Sequence, residues 1–89
     1  MPMVEKELVI QNKLGLHARP AALFVQTTTQ YQSRVRVMRD DQEIDGKSIM
    51  GVMMLAAEYG SELRILAEGP DAIKAVSALV KEFDRKFGE

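Results

Sequence analysis

Three segments of the chain alternate apolar and polar residues with the period of a half-buried β-strand. In the first of them, Val4, Leu8 and Ile10 fall on one face, while Glu5 and Glu7 fall on the other. The alternating segments are residues 4–10, 33–40 and 61–69. A polar turn at residues 40–42, followed by the short segment 43–45, predicts a fourth strand that pairs with the second as a hairpin.

Three other segments space their apolar residues as helices do. The first begins at Ala18 and has Pro20 in its first turn, where the missing N–H costs nothing. The second is capped by Ser48 and is expected to end at Gly60. Pro70 is predicted to open the third helix, and its predicted apolar stripe consists of Ile73, Val76, Leu79, Val80, Phe83 and Phe87.

The predicted element order is therefore β-α-β-β-α-β-α. Amphipathic helices and short strands in so small a chain favour two layers, with the three helices covering one face of a four-stranded, mainly antiparallel sheet. This arrangement is an α+β open-faced sandwich. No linker, repeat or low-complexity segment interrupts the sequence, so residues 1–89 are expected to form a single domain.

Composition and charge restrict the function. The chain has no cysteine, which excludes disulfides, thiolate metal sites and thiol catalysis, and its net charge of -1 offers no basic field for nucleic acid. No basic leader precedes an apolar run, and no apolar run is long enough to span a membrane. We therefore expect a cytoplasmic monomer without membrane insertion.

The only histidine of the chain, His17, lies at or beside the N-cap of the first predicted helix. The unpartnered backbone N–H groups of Ala18 and Arg19, together with the helix dipole, make this a place where anions bind. The Arg19 guanidinium suits phosphate oxygens, and an imidazole nitrogen beside such a site is a nucleophile for a phosphoryl group. No acid lies between Glu7 and Asp40, so a carboxylate that orients the ring must come from elsewhere in the fold.

Plainer interpretations of His17 remain open. A lone histidine is more often a polar loop residue that happens to cap a helix. A metal site is disfavoured because no second histidine or cysteine is present to share the ion. An independent enzyme is also disfavoured, since no pattern indicates a substrate pocket, a metal or a cofactor.

The segment KSIMGVMMLAA, residues 47–57, is apolar almost all the way round a helix. A small domain buries only one helix face, so part of the methionine surface is expected to be exposed, where it suits docking of partners. Alternatively, individual methionines fill gaps in the core. Capping alone explains Ser48, but a phosphate there would also place negative charge on the docking face.

Together, GLHARPAALFV at residues 15–25 and KSIMGVMMLAA closely resemble the HPr family, the histidine-containing phosphocarriers of the bacterial phosphoenolpyruvate-dependent sugar phosphotransferase system. The resemblance extends over essentially the whole chain. It implies that the HPr-like sandwich carries a phosphoryl group, accepted on ring Nδ1 of His17 with the help of Arg19 from phosphorylated enzyme I and passed to enzyme IIA domains of sugar transporters.

The resemblance also implies regulation and docking. Ser48 matches the serine that HPr kinase/phosphorylase modifies in many bacteria, which recruits a regulator of carbon catabolite repression. The residues that match the partner-facing apolar surface are Ala22, Ile49, Met50 and Met53. Two alternatives stay open: a nitrogen-branch phosphotransferase paralogue, and a regulatory interaction module whose histidine is never phosphorylated.

Overall fold

The computed structural model describes residues 2–89. Its elements are β1 (Met3–Val9), α1 (Ala18–Thr28), β2 (Arg34–Arg39), β3 (Gln42–Asp45), α2 (Ile49–Met54), β4 (Glu62–Glu68), α3 (Ala72–Asp84) and a 3-10 helix (Lys86–Gly88). The order β-α-β-β-α-β-α confirms the predicted one. None of the helices within the described residues has the length and apolar character needed to cross a bilayer.

The strands form one sheet in the order β1-β4-β2-β3, and every neighbouring pair is antiparallel. Alternate residues of the two central strands are buried, among them Val35, Val37, Leu63 and Ile65. The opposite face of the sheet carries charged side chains such as Arg64. The alternation predicted from the sequence therefore buries one face against the helices and leaves the other in solvent, which confirms the α+β open-faced sandwich.

Aromatic rings connect the helical layer. The rings of Phe24 in α1 and Phe83 in α3 have centroids 6.3 Å apart, and Phe83 and Phe87 lie 5.1 Å apart, both pairs edge to face. All three side chains are fully buried, and each such burial is worth about 1.5–3 kcal/mol. Because Phe87 follows α3, its burial brings the segment after α3 back to the side of α1.

The second helix begins where the sequence predicts. Ser48 is its N-cap, and the Ser48 hydroxyl accepts a hydrogen bond from the Gly51 N–H at 3.0 Å. The bond satisfies one of the N–H groups that the first turn of a helix leaves without a partner.

The predicted end of this helix at Gly60 is wrong, because α2 ends at Met54. Ala56 has a φ of 50°, which takes the chain out of the helix. Nη1 of Arg39 donates to the carbonyl oxygens of Leu55 and Ala56 at 2.8 and 3.0 Å, so a side chain at the end of β2 satisfies acceptors at the helix end. The apolar pattern continues to Ala57 because Leu55 and Ala57 remain buried in an irregular segment.

The predicted start of the third helix at Pro70 is wrong, because Asp71 is the N-cap and α3 begins at Ala72. Its predicted stripe is also wrong at one end. Ile73 is 68% exposed, since it lies about 100° around the helix from the buried Ala72. The buried residues of α3 are Ala72, Ala75, Val76, Leu79 and Phe83. Phe87 is buried as predicted but lies beyond α3, which ends at Asp84.

A carboxylate clasp joins the loop before β2 to the start of α3. Asp71 accepts hydrogen bonds from the Ser33 hydroxyl, the Ser33 N–H at 2.8 Å and the Gln32 N–H at 2.9 Å. These hydrogen bonds lower the pKa of Asp71 to about 2. The bond from the Ser33 hydroxyl has the largest effect, followed by the bonds from the backbone N–H groups. The clasp therefore stabilises the fold through the ionised carboxylate.

We predict that Asp71→Asn lowers the melting temperature near neutral pH. Because folding lowers the pKa of Asp71 from 3.8 to about 2, the stabilisation is complete above about pH 4 and is lost as the pH falls through 2. Thermal unfolding followed by circular dichroism between about pH 7 and pH 2 should show the difference between wild type and variant shrinking across this window. The exposed hairpin residue Asp41, as Asp41→Asn, is the control. A difference that does not depend on pH would contradict the assignment.

Candidate phosphoryl site

The loop before α1 is held against the segment after α2. Gly15 N–H donates to the carbonyl oxygen of Asn12 at 3.1 Å, and Leu16 N–H donates to that of Ala57 at 2.8 Å. Gly15 has a φ of +70°, and a Cβ atom there would lie 2.3 Å from the Ala57 carbonyl oxygen. Only glycine meets both requirements without strain, and the loop delivers His17 to the start of the helix.

His17 is the N-cap residue of α1, the position that the sequence predicted. Its carbonyl oxygen accepts the first helical hydrogen bond, from Ala21 N–H at 3.0 Å, but its side chain makes no capping bond. Pro20 has no N–H, so the Ala18 and Arg19 N–H groups are the donors left at this end of the helix, and neither has a partner within residues 2–89. They provide the positive end of the dipole beside the ring.

The His17 ring is held on one side by Glu89. Its Nε2 lies 2.8 Å from Glu89 Oε2, while Nδ1 makes no hydrogen bond within the described part of the chain. A carboxylate accepts hydrogen bonds, so the neutral ring carries its proton on Nε2 and its lone pair on Nδ1. The His17 side chain is 37% exposed, which leaves the ring accessible to a partner protein.

Asn12 holds Glu89 in turn. Its Nδ2 donates to Glu89 Oε1 at 3.0 Å and to the Gly15 carbonyl oxygen at 2.6 Å. Asn12 is only 2% exposed, so this amide is a rigid part of the interior. Three side chains, those of His17, Glu89 and Asn12, therefore form one connected series that orients the imidazole.

Arg19 lies in the first turn of α1 with an exposed side chain. Its guanidinium forms no ion pair and no side-chain hydrogen bond with any residue from 2 to 89. A planar cation in this position can donate hydrogen bonds to two phosphate oxygens without first giving up another contact.

Beside α1, the surface of α2 is apolar. The helix buries Val52, whereas its exposed side chains are Ile49, Met50, Met53 and Met54. Ala22 is half-buried on α1, which packs against α2. We call Ala22, Ile49, Met50 and Met53 the apolar face.

A family profile described as the PTS HPr component phosphorylation site matches residues 4–85. The chain belongs to the HPr family. It is 47% identical over 87 residues to phosphocarrier protein HPr of Treponema pallidum, covering 98% of this chain and 99% of the relative. It is also 40% identical to the HPr-like protein Crh of Halalkalibacterium halodurans, covering 94% of this chain and 100% of the relative.

Solved HPr structures have the same fold. A crystal structure of HPr from Thermoanaerobacter tengcongensis, 46% identical, superposes with a TM-score of 0.93 over 97% of each chain. The resemblance inferred from the two sequence motifs is thereby confirmed. The chain is a phosphocarrier-family member with the HPr element order.

The residues that sequence reasoning missed are Asn12 and Glu89. They lie 77 residues apart, and Glu89 is 72 residues from His17, so no local pattern connects them. Because no acid lies near His17 in the sequence, a carboxylate that orients the ring had to come from elsewhere in the fold, and Glu89 is such a residue. The burial of Asn12 had no comparable signal, since asparagine before a glycine turn is ordinarily exposed.

We predict that Glu89→Ala removes the preference of the neutral His17 ring for the tautomer protonated on Nε2. Without the carboxylate on Nε2, the neutral ring exchanges between its two tautomers, with the proton on Nε2 or on Nδ1. The ¹⁵N chemical shifts of the two ring nitrogens should therefore move towards each other. The measurement is made at a pH where the imidazole is neutral. Glu5→Ala, which removes an exposed acid on β1, should leave both shifts unchanged. Wild-type shifts in Glu89→Ala would show that Glu89 does not select the tautomer.

Proposed function

We propose that this chain accepts a phosphoryl group on Nδ1 of His17 from phosphorylated enzyme I and donates it to enzyme IIA domains of sugar transporters. Residues 1–89 act as one HPr domain and as a cytoplasmic monomer. The chain is a substrate and donor for phosphotransferase enzymes and is not an enzyme itself. Membership of the HPr family supports the carrier role, and the hydrogen bond between His17 and Glu89 is the observation that carries the choice of nitrogen.

The chemistry follows from that bond. The Nδ1 lone pair of His17 attacks the phosphorus atom, while the bond from phosphorus to the donor's histidine breaks and its electron pair returns to the donor ring. The Nε2 proton of His17 stays in place. The positive charge that the imidazole gains faces the Glu89 carboxylate at 2.8 Å, which stabilises it.

The phosphoryl group then lies beside the start of α1. The N–H groups of Ala18 and Arg19 and the Arg19 guanidinium supply donors to its oxygens, with dipole-type contributions of about 0.3–2 kcal/mol. Support of this size is modest. A carrier requires that, because it must release the group again to the next histidine.

Docking on the apolar face brings two active centres into line. Phosphoryl transfer depends mainly on positioning and electrostatic support. Met50 and Met53 have flexible, polarisable side chains that adapt to differently shaped partners. This property suits a carrier that meets one donor and several acceptors.

The decisive experiment is transfer of labelled phosphate from phosphoenolpyruvate through purified enzyme I. We expect acid-labile label on the wild type and none on His17→Ala, because phosphohistidine is lost in acid. Circular dichroism establishes that the variant is folded, and transfer from labelled protein to enzyme IIA tests the second step. A folded wild type that takes no label from active enzyme I would overturn the proposal. Comparison with the nitrogen-branch enzyme I distinguishes the two branches by their relative rates.

A second candidate function is regulation through Ser48 by HPr kinase/phosphorylase and a catabolite-control regulator. The resemblance to a relative named HPr-like protein Crh supports it. Ser48 caps α2 directly beside the apolar face, where a phosphate would add roughly -1.5 to -2 charges. Such a charge would weaken docking of partners that need an apolar surface.

We predict that HPr kinase/phosphorylase with ATP places acid-stable label on the wild type and none on Ser48→Ala. Loss of the cap should also lower the free energy of unfolding by about 0.5–2 kcal/mol, as measured in urea. Ser48→Thr, which keeps a hydroxyl, should lose less stability. Label that persists in Ser48→Ala would place the modification on another residue.

A further inference from the structure

A continuous groove runs from the support of His17 towards the start of β4. It consists of three adjoining cavities of about 400, 340 and 210 Å³. Gln11 and Lys86 line all three, Lys13 lines the first two, and Tyr59 lines the last two. We call Gln11, Lys13, Tyr59 and Lys86 the basic groove. None of these residues belongs to the apolar face, so the groove is a second surface beside the site.

The groove meets the His17 site at one end. Asn12 and Glu89 line its first cavity, and the same two side chains hold the imidazole. A partner seated in the groove is therefore also next to the reacting ring. Leu14 lines this cavity too and is 76% exposed.

The two lysines of the groove are not neutralised by an ion pair within residues 2–89. Neither Lys13 nor Lys86 forms an ion pair there. The carboxylate of the first cavity, Glu89, is already engaged with Asn12 and His17. Two ammonium groups around one depression complement carboxylates, and the exposed Tyr59 adds surface for an apolar neighbour.

We propose that the basic groove receives an acidic segment of the phosphoryl donor, enzyme I, in addition to the contact on the apolar face. This inference rests on the proposed function. Before transfer, His17 carries no phosphoryl group and the groove attracts the acidic segment without opposition. After transfer, the negative charge on His17 offsets the lysines and weakens the attraction, which helps the donor to leave. This change in charge favours the donor over the acceptors, which bind the already phosphorylated chain.

The test compares the double variant Lys13→Glu/Lys86→Glu with the double variant Lys6→Glu/Lys74→Glu, which makes the same change in net charge at two exposed lysines, one on β1 and one near the opposite end of α3. We expect the KM of enzyme I for Lys13→Glu/Lys86→Glu to rise roughly tenfold at low salt with little change in kcat, and the rise to shrink at about 0.5 M salt. Lys6→Glu/Lys74→Glu should stay within about twofold, because both lysines lie outside the groove. Thermal unfolding identifies any loss of folding, and Lys13→Gln/Lys86→Gln then serves as the milder variant.

Each outcome decides the inference. An unchanged KM overturns it, and so does an equal rise in Lys6→Glu/Lys74→Glu, since net charge alone would then account for the effect. A rise confined to transfer onto enzyme IIA also overturns it, because the acidic partner would be the acceptor. If the wild type takes no label at all, the proposed function fails. Binding of enzyme I in the groove is then tested separately, by following the ¹⁵N chemical shifts of the chain as enzyme I is added. Shifts absent from residues 11–13, 59 and 86 would reject the groove in that case.

Discussion

The burial of Phe87 against Phe83 is the constraint on which the candidate site depends. The two rings pack edge to face with centroids 5.1 Å apart, and this contact fixes where the segment after α3 lies. Lys86 and Phe87 adopt φ values of 54° and 52°, an uncommon backbone conformation that the packing of the ring maintains. As a result Glu89 reaches His17, and an interior contact made for stability also places a carboxylate beside the imidazole ring.

The surroundings of His17 differ on the two sides of the ring: Glu89 orients it on one side, and hydrogen-bond donors at the start of α1 lie on the other. The orienting side is rigid, because Glu89 is held by an amide that is almost fully buried. The other side has donors without a hydrogen-bond partner within residues 2–89, namely the N–H groups of Ala18 and Arg19 and the exposed Arg19 guanidinium. Under the proposed function, a site built in this way holds a phosphoryl group without enclosing it. The shallow position is therefore compatible with a group that must pass between proteins.

Two surfaces of different chemistry flank the ring. The apolar face on α1 and α2 offers flexible side chains that adapt to shape, and the basic groove offers two lysines that act at longer range. Apolar contact gives affinity, whereas charge chiefly affects the rate of encounter and the choice of partner. A carrier with both surfaces can share one docking face among partners and still distinguish them by charge state.

The sequence by itself determined the strands, the starts of α1 and α2, the sheet class and the position of His17 at the N-cap, because alternation, helical spacing and capping are local properties. Two motifs also identified the HPr family. The end of α2 and the exposure of Ile73 were decided by tertiary structure: Arg39 reaches across from β2 to satisfy carbonyl groups at the helix end, and the core selects one face of α3. The series His17, Glu89 and Asn12 was likewise beyond local pattern, since residues more than seventy positions apart meet only after the aromatic core has formed.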